Sequence, residues 1–416
     1  MKTPLSIIAF SSDFHGASED CVRSNHIELF RVLDEAFDVQ MIIASKEEPL
    51  PTTTNKAVVF IASGGTEGIL RKHYAELPKP LTLLTDGKAN SLAASLEISC
   101  WVRNQGGQCR ILHDEPERVV EAIHELELRD LMGGQRIGVL GQPSDWLISS
   151  HVDYTAAEQR WGTKFVDIPI SWVEEYYKAE PGENCEAEAD RFIAAAKTMV
   201  EPNRDEVIKA VRLYHAIRRV AEEEHLNAVT VRCFDLITSC CTTGCLALSL
   251  LNDEGIVAGC EGDLPSIFTM LLCKRLTGAD AFMANPARIR DKEVLFAHCT
   301  IGLKQTQQYI IRSHFESGTG VAIQGKLREH QPVTVVKIGG ERLDRIAFAK
   351  AILTENQNDP RKCRTQIMLR TTNSDLSEYL LSNSIGNHHI ILQGNYVASL
   401  DCLCRTMGLV NEVKPL

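Results

Sequence analysis

No apolar run in this chain of 416 residues approaches the roughly 18 residues that span a bilayer, so the sequence predicts no membrane helix and no membrane partner. The opening MKTPLSIIAFSSDFHG turns polar after Phe10, too soon for the apolar centre of a secretory leader, and the expectation is a cytoplasmic protein. Positive charge is in deficit: 44 Lys+Arg against 55 Asp+Glu leave a net charge of -11. No basic cluster stands out against it, which argues against a nucleic-acid groove. The 14 cysteines include no CxxC pair and several lie inside apolar strings, so buried thiols are expected rather than disulfides or zinc ligands. Internal repeats and low-complexity segments are lacking too. What is present is ample apolar side chain, 44% of the residues, enough for two or three domains with real cores.

Short apolar runs alternate with helical spacing along the first part. LSIIAF, Val39–Ala44, Ala57–Ala62, Leu81–Thr85 and Cys109–Leu112 read as strands, with helices at His26–Phe37, Glu67–Glu76 and Ser91–Gln105. That alternation predicts a parallel sheet covered on both faces. A charged, breaker-containing segment, ELELRDLMGGQ at Glu125–Gln135, marks a boundary, after which the rhythm restarts. Strands are expected at Arg136–Gly141, Lys164–Ile168, Ala228–Phe234 and Ile256–Cys260. A long helical stretch from Glu186 to His225 and an apolar helix at Leu264–Leu276 complete the pattern. From about Val294 the grammar changes to short strands divided by turn residues, which reads as a mostly antiparallel β domain, a barrel or sandwich. The predicted domains are 1–134, 135–293 and 294–416.

Chemistry-bearing residues are densest near the second junction, in CEGDL (260–264), ANP (284–286), AHC (297–299), HFESG (314–318) and GNHH (386–389). Glu261 ends an apolar strand, where a carboxylate is aimed into a crevice or pairs with a buried partner. Asp263 precedes an apolar helix and reads first as its N-cap. His298 lies between apolar neighbours, where a core role competes with a ligand role. His388 and His389 are adjacent, so on a strand only one of them reaches a given site. One Glu, one or two His and an amide or carboxylate oxygen make a plausible set for a divalent cation such as Mn²⁺.

Elsewhere, Ser63-Gly64-Gly65-Thr66-Glu67 follows a strand and is either a cradle for hydroxyls or a phosphate at a helix N-terminus, or a tight turn with a capping Thr. The next such turn, Asp86 to Ser91, carries Asn90. Trp146 is suited to stack on a sugar ring, against the default of a core or interface tryptophan.

Together the blocks IASGGTEGI, LTDGKANSLAASLEI, GVLGQPSDWLI, CEGDLPSIFTMLL, FMANPARI, AHCTIG, HFESGTGVAI and GNHHIILQGNY resemble the L-fucose isomerase and L-arabinose isomerase superfamily, in order and over nearly the whole chain. The resemblance implies two parallel-sheet (Rossmann-like) α/β domains and a β-rich, barrel-like C-terminal domain. It further implies a homo-oligomer (hexamer, trimer or dimer) and Mn²⁺-dependent aldose–ketose isomerisation of a fucose- or arabinose-like sugar through an ene-diol. Glu261 looks like the family's metal-binding acid/base, His298 sits where arabinose isomerases carry a metal-binding His, and the C-terminal family His maps to the His388–His389 pair. Asn285 falls where fucose isomerases carry a second metal-binding Asp. An amide offers a carbonyl oxygen to a cation but exchanges no proton, and Asp263 and Glu316 are the nearest substitutes. Gly65, Thr66, Asn90, Trp146 and Glu316 are the expected sugar contacts. The departure at Asn285 opens two alternatives, a metal-dependent enzyme on a modified or acidic sugar and a non-catalytic sugar-binding protein.

Overall fold

Five strands, β1 (Thr3–Phe10), β2 (Phe37–Ile43), β3 (Lys56–Ile61), β4 (Leu81–Leu84) and β5 (Cys109–Leu112), pair in the order β2-β1-β3-β4-β5, every pairing parallel. Alternation along β1 and β3 sends Leu5, Ile7 and Phe60 to one apolar cluster and Ile8, Phe10 and Ile61 to another, the two faces of a covered parallel sheet. These strands belong to the first of two compact units, Met1–Glu127 and Leu128–Leu416, of a computed structural model that describes residues 2–52, 56–113 and 115–413. In the first unit the loops that follow β3 and β4 meet, the Gly64 N–H donating to the Ala89 carbonyl at 2.8 Å.

The second unit opens with β6 (Arg136–Leu140), β7 (Lys164–Ile168), the two-residue β8 (Thr198–Met199), β9 (Ala228–Val231) and β10 (Val257–Cys260). Four of them form a parallel sheet in the order β10-β9-β6-β7. Then come β11 (Ala281–Arg290), β12 (Glu293–His298), β13 (Gln308–Arg312), β14 (Ala322–Lys326), β15 (Gln331–Gly339), β16 (Arg345–Gln357), β17 (Thr365–Arg370), β18 (His389–Gln393) and β19 (Val410–Asn411). Six of these run β15-β18-β11-β12-β17-β16, and a β15–β16 pairing closes the ring. All six pairings are antiparallel, so the expected barrel is a closed six-stranded one.

The parallel sheet and the barrel share one hydrophobic core. Between them runs the helix Leu264–Thr277, in which every residue from Leu264 to Cys273 is buried. A helix that is apolar all round is one packed on every side, and this one touches β10 as well as β15.

Two features depart from the sequence reading. The expected helix from Glu186 to His225 is two helices, Glu183–Ala195 and Arg204–Glu223. Pro202 cannot donate to a helix ladder, and Asn203 opens the second helix with a capping box. Its Oδ1 accepts from the Glu206 N–H at 3.0 Å while Glu206 Oε2 accepts from the Asn203 N–H at 3.1 Å. The barrel also begins earlier than Val294, with β11, whose outer half carries Pro286, Arg288 and Arg290 and so hides the alternation of a strand. Among the described residues no helix is long and apolar enough to cross a membrane.

Candidate active site and metal centre

Strand β10 delivers Glu261 in a left-handed conformation, φ 65°, which costs a non-glycine residue on the order of 1–3 kcal/mol and persists only where the surroundings impose it. What imposes it is the loop after β6. Gly262 has φ +71°, and a Cβ there would stand 2.7 Å from Pro143 Cα and 2.8 Å from the Gln142 carbonyl oxygen, so only glycine lets the two loops press together. The Ser144 N–H donates to the Glu261 carbonyl at 2.9 Å. Trp146, in the same loop, donates its indole N–H to Glu261 Oε2 at 2.7 Å. The indole meets Phe234 edge-on at 4.9 Å between centroids, and Phe234 meets His314 at 5.5 Å, an aromatic wall beside the carboxylate.

Asp263 caps the buried helix as its sequence position predicts, Oδ1 accepting from the Ser266 N–H at 2.9 Å. It does more than cap. Oδ2 lies 2.9 Å from His388 Nδ1, and the Lys337 ammonium lies 3.6 Å from Oδ1 while donating to Ser266 Oγ at 2.7 Å. With Nδ1–H held by a carboxylate, the other ring nitrogen of His388 is turned towards Glu261. It is buried, has no hydrogen-bond partner and stands 3.6 Å from Glu261 Oε1, beyond hydrogen-bonding distance. His298, the last residue of β12, stands edge-on to His388 at 5.3 Å and holds Thr300 Oγ1 through Nδ1 at 3.0 Å. One ligand atom each from Cys260, Glu261 and His298 lie within 4.8 Å of one another, and Cys260 Sγ also touches Cys233 Sγ at 3.0 Å.

The electrostatics follow from this packing. Burial works against ionising Glu261, yet the facing His388 outweighs it, with help from His298 and the Trp146 N–H, and the carboxyl sits at about 2. Asp263 is wholly buried, and Lys337 and His388 together hold it well below the usual carboxylate range against that burial. His388 is pushed up to about 9, the two carboxylates overcoming its desolvation. His298 goes the other way, to about 4, because burial and the neighbouring His388 disfavour a charge.

A pair of carboxylates with an unpartnered imidazole nitrogen between them calls for a cation: a proton on Nε2, or a metal ion shared with Glu261. Glu261, His298 and His388 supply carboxylate and imidazole donors of the kind that Mn²⁺ and similar divalent ions accept, and the Asp263 hydrogen bond is the outer support a metal-binding His needs. The residues fit such an ion.

Of the sequence candidates, Glu261, Asp263, His298, His388 and Trp146 come together. His389 points elsewhere, Nε2 to Tyr379 OH at 3.1 Å and Nδ1 to the Asn387 carbonyl at 3.0 Å. Asn285 is half-buried on β11, opposite Ala297, and none of the hydrogen bonds that join the cluster goes to it. Glu316 is exposed in the turn after β13. Gly65, Thr66 and Asn90 belong to the other unit, at the carboxyl ends of β3 and β4. Thr66 is wholly buried and spends its hydroxyl on the Ser63 carbonyl at 2.9 Å. Sequence reasoning passed over Lys337 and Phe234. A lone Lys inside the apolar string VTVVKIG was the signal for the first.

No protein-family model matches the chain. It is similar to proteins named sulfoquinovose isomerase. Identity is 29% over 126 residues with that of Clostridium sp. (strain MSTE9), 30% of this chain and 28% of that protein. With the Alkalicoccus urumqiensis protein it is 26% over 225 residues, 51% of this chain and 50% of that one. With the Priestia aryabhattai protein it is 22% over 227 residues, 52% of this chain and 50% of that one. The chain thus spans half or less of the length of these relatives.

Proposed function

We propose that this protein is an aldose–ketose isomerase acting on an acidic sugar, a sulfonated aldose of the sulfoquinovose kind, with Glu261 as the residue that carries the proton. The observation behind this reading is the convergence of Glu261, His298 and an unpartnered His388 nitrogen beside the exposed indole of Trp146. The names of the partial relatives support the substrate class, and a neutral fucose- or arabinose-like aldose becomes the alternative substrate.

Moving hydrogen between C1 and C2 of an aldose means removing a weakly acidic C–H proton beside a carbonyl. A divalent cation held by Glu261, His298 and His388 would supply the polarisation of that carbonyl. The chain's own residues do the rest. Glu261, ionised across the physiological range, takes the proton from one carbon and returns it to the other. The Trp146 N–H fixes which way the carboxylate faces, and Asp263 holds the His388 ring in place. Trp146, Phe234 and His314 offer the apolar wall against which one face of a sugar ring packs. Asn285 exchanges no proton, so in this reading proton carriage falls to Glu261 alone.

The test is exchange of the C2 proton in D₂O, followed by NMR, with sulfoquinovose, glucose, L-fucose and L-arabinose, before and after chelation and with Mn²⁺ restored. The proposal expects exchange with the sulfonated sugar, its loss on chelation, and a fall of about 10²–10⁴-fold in Glu261→Gln. Exchange with neutral aldoses alone would move the substrate to the fucose or arabinose class. Ligand-induced stabilisation with no exchange under any metal would make the protein a sugar binder.

A further inference from the structure

Three helices of the second unit gather a second set of donor atoms that shares no residue with the Glu261 cluster. Glu180 is the C-cap of helix Ile170–Ala179. Cys185 and Glu188 lie one turn apart on helix Glu183–Ala195, a spacing that puts them on one face. His215 comes from helix Arg204–Glu223. The Cys185 thiol, on a residue with no exposed surface, stands 3.8 Å from His215 Nδ1, and Glu180 Oε1 stands 3.4 Å from the same nitrogen. One ligand atom from each of the three lies within 4.8 Å of the others.

The other side of the ring decides how this group reads. His215 Nε2 is 2.8 Å from Glu188 Oε2, and the tautomer with its proton on Nε2 donates to that carboxylate and turns its Nδ1 lone pair to a thiol and a second carboxylate. A carboxylate behind the imidazole is the arrangement that metal-binding histidines use to fix their tautomer. The spacings agree as well. Zinc held at its usual distances in a tetrahedron places sulfur and nitrogen ligands about 3.6 Å apart, and nitrogen and oxygen ligands about 3.3 Å apart. The distances found, 3.8 and 3.4 Å, lie at the long end for hydrogen bonds and within about 0.2 Å of those expected for ligands around an ion. A helix-to-helix Glu–His ion pair would need no thiol at its other nitrogen.

We propose that Glu180, Cys185 and His215 form a zinc site that clips these three helices, with Glu188 orienting the imidazole and water in the fourth position. On binding, the Cys185 S–H bond gives way to a sulfur–zinc bond and its proton passes to solvent. Thiolate, Glu180 and Zn²⁺ then sum to zero charge. The CxxC spacing that flags zinc sites in sequence is missing because the ligands come from separate helices.

Cobalt(II), added to the full chain after chelation, is the probe, because a thiolate on tetrahedral cobalt absorbs in the near ultraviolet. The proposal expects one equivalent of that band, its removal by Zn²⁺, its survival in Cys260→Ser and its loss in Cys185→Ser. His215→Gln, at a partly exposed side chain, serves should the cysteine variant fail to fold, and loses the band as well. Glu188→Gln keeps the band and weakens the affinity by about 10–100-fold. No thiolate band in the wild type, or a band that persists in Cys185→Ser and His215→Gln, overturns the site. A band lost in Cys260→Ser and kept in Cys185→Ser also overturns it, since the thiolate would then be the one beside Glu261.

Discussion

Asp263 and His388 stand 2.9 Å apart with no exposed surface on either, and the bond joins the start of the buried helix to the residue that leads into β18. One carboxylate thereby serves as helix cap, as counter-charge for Lys337 and as the anchor that turns His388 towards Glu261.

Asp263→Asn keeps the cap geometry and removes the charge. Lys337 is buried to 1% exposure and would be left without its counter-ion, so a loss of about 3–5 kcal/mol is expected. Urea unfolding measures it. The double variant Asp263→Asn/Lys337→Met should recover part of the loss, and no recovery would mean that the ion pair is not what the aspartate supports.

Trp146→Phe retains a ring against Phe234 and deletes the N–H that Glu261 Oε2 accepts. A hydrogen bond to a carboxylate contributes about 1.5–3 kcal/mol, so turnover should fall roughly 10–100-fold with unchanged melting temperature. A fall in melting temperature of several degrees would make the indole a packing residue instead.

At Gly262 the added Cβ of alanine meets backbone at 2.7 Å in a left-handed conformation. Gly262→Ala should cost about 1–3 kcal/mol and, by pushing the two loops apart, reduce activity more than stability alone explains. Wild-type activity in this variant would show that the loop contact does not position Glu261.

His389 governs a pH response. Burial first, and then the charge of Lys337, lower it to about 3, while an unfolded chain binds its proton near 6.5. Its contribution is complete above that pH and declines as the pH falls towards 3, by up to about 1.4 kcal/mol per unit. His388, raised to about 9, has the opposite sign and acts on the alkaline side. His389→Gln should flatten the loss of stability between pH 6.5 and 5, measured by urea unfolding at each pH, and an unchanged slope would mean that another group carries it.

Local periodicity made much of this fold legible. Leu81–Leu84, Cys109–Leu112 and Lys164–Ile168 are short apolar runs bounded by breakers, and they are strands. Glu261 and Asp263 were visible as carboxylates straight after an apolar strand and straight before an apolar helix, though the second read first as an N-cap, which it also is. His388 could not be told from His389 without the barrel register, which pairs His389 with Ala284 and leaves His388 outside the ladder. Lys337 was hidden because its partner lies 74 positions back in the chain, and nothing local pairs them. The break at Pro202 and Asn203 was passed over because the amphipathic pattern continues on either side of it.

From Leu264 to Cys273 the helix Leu264–Thr277 is buried on every side between the parallel sheet and the barrel. Glu261 rides on the sheet side of that seam and His298 and His388 on the barrel side, yet one continuous core backs all three. Separating them requires opening that core, so fluctuations small enough to occur during turnover leave their spacing fixed.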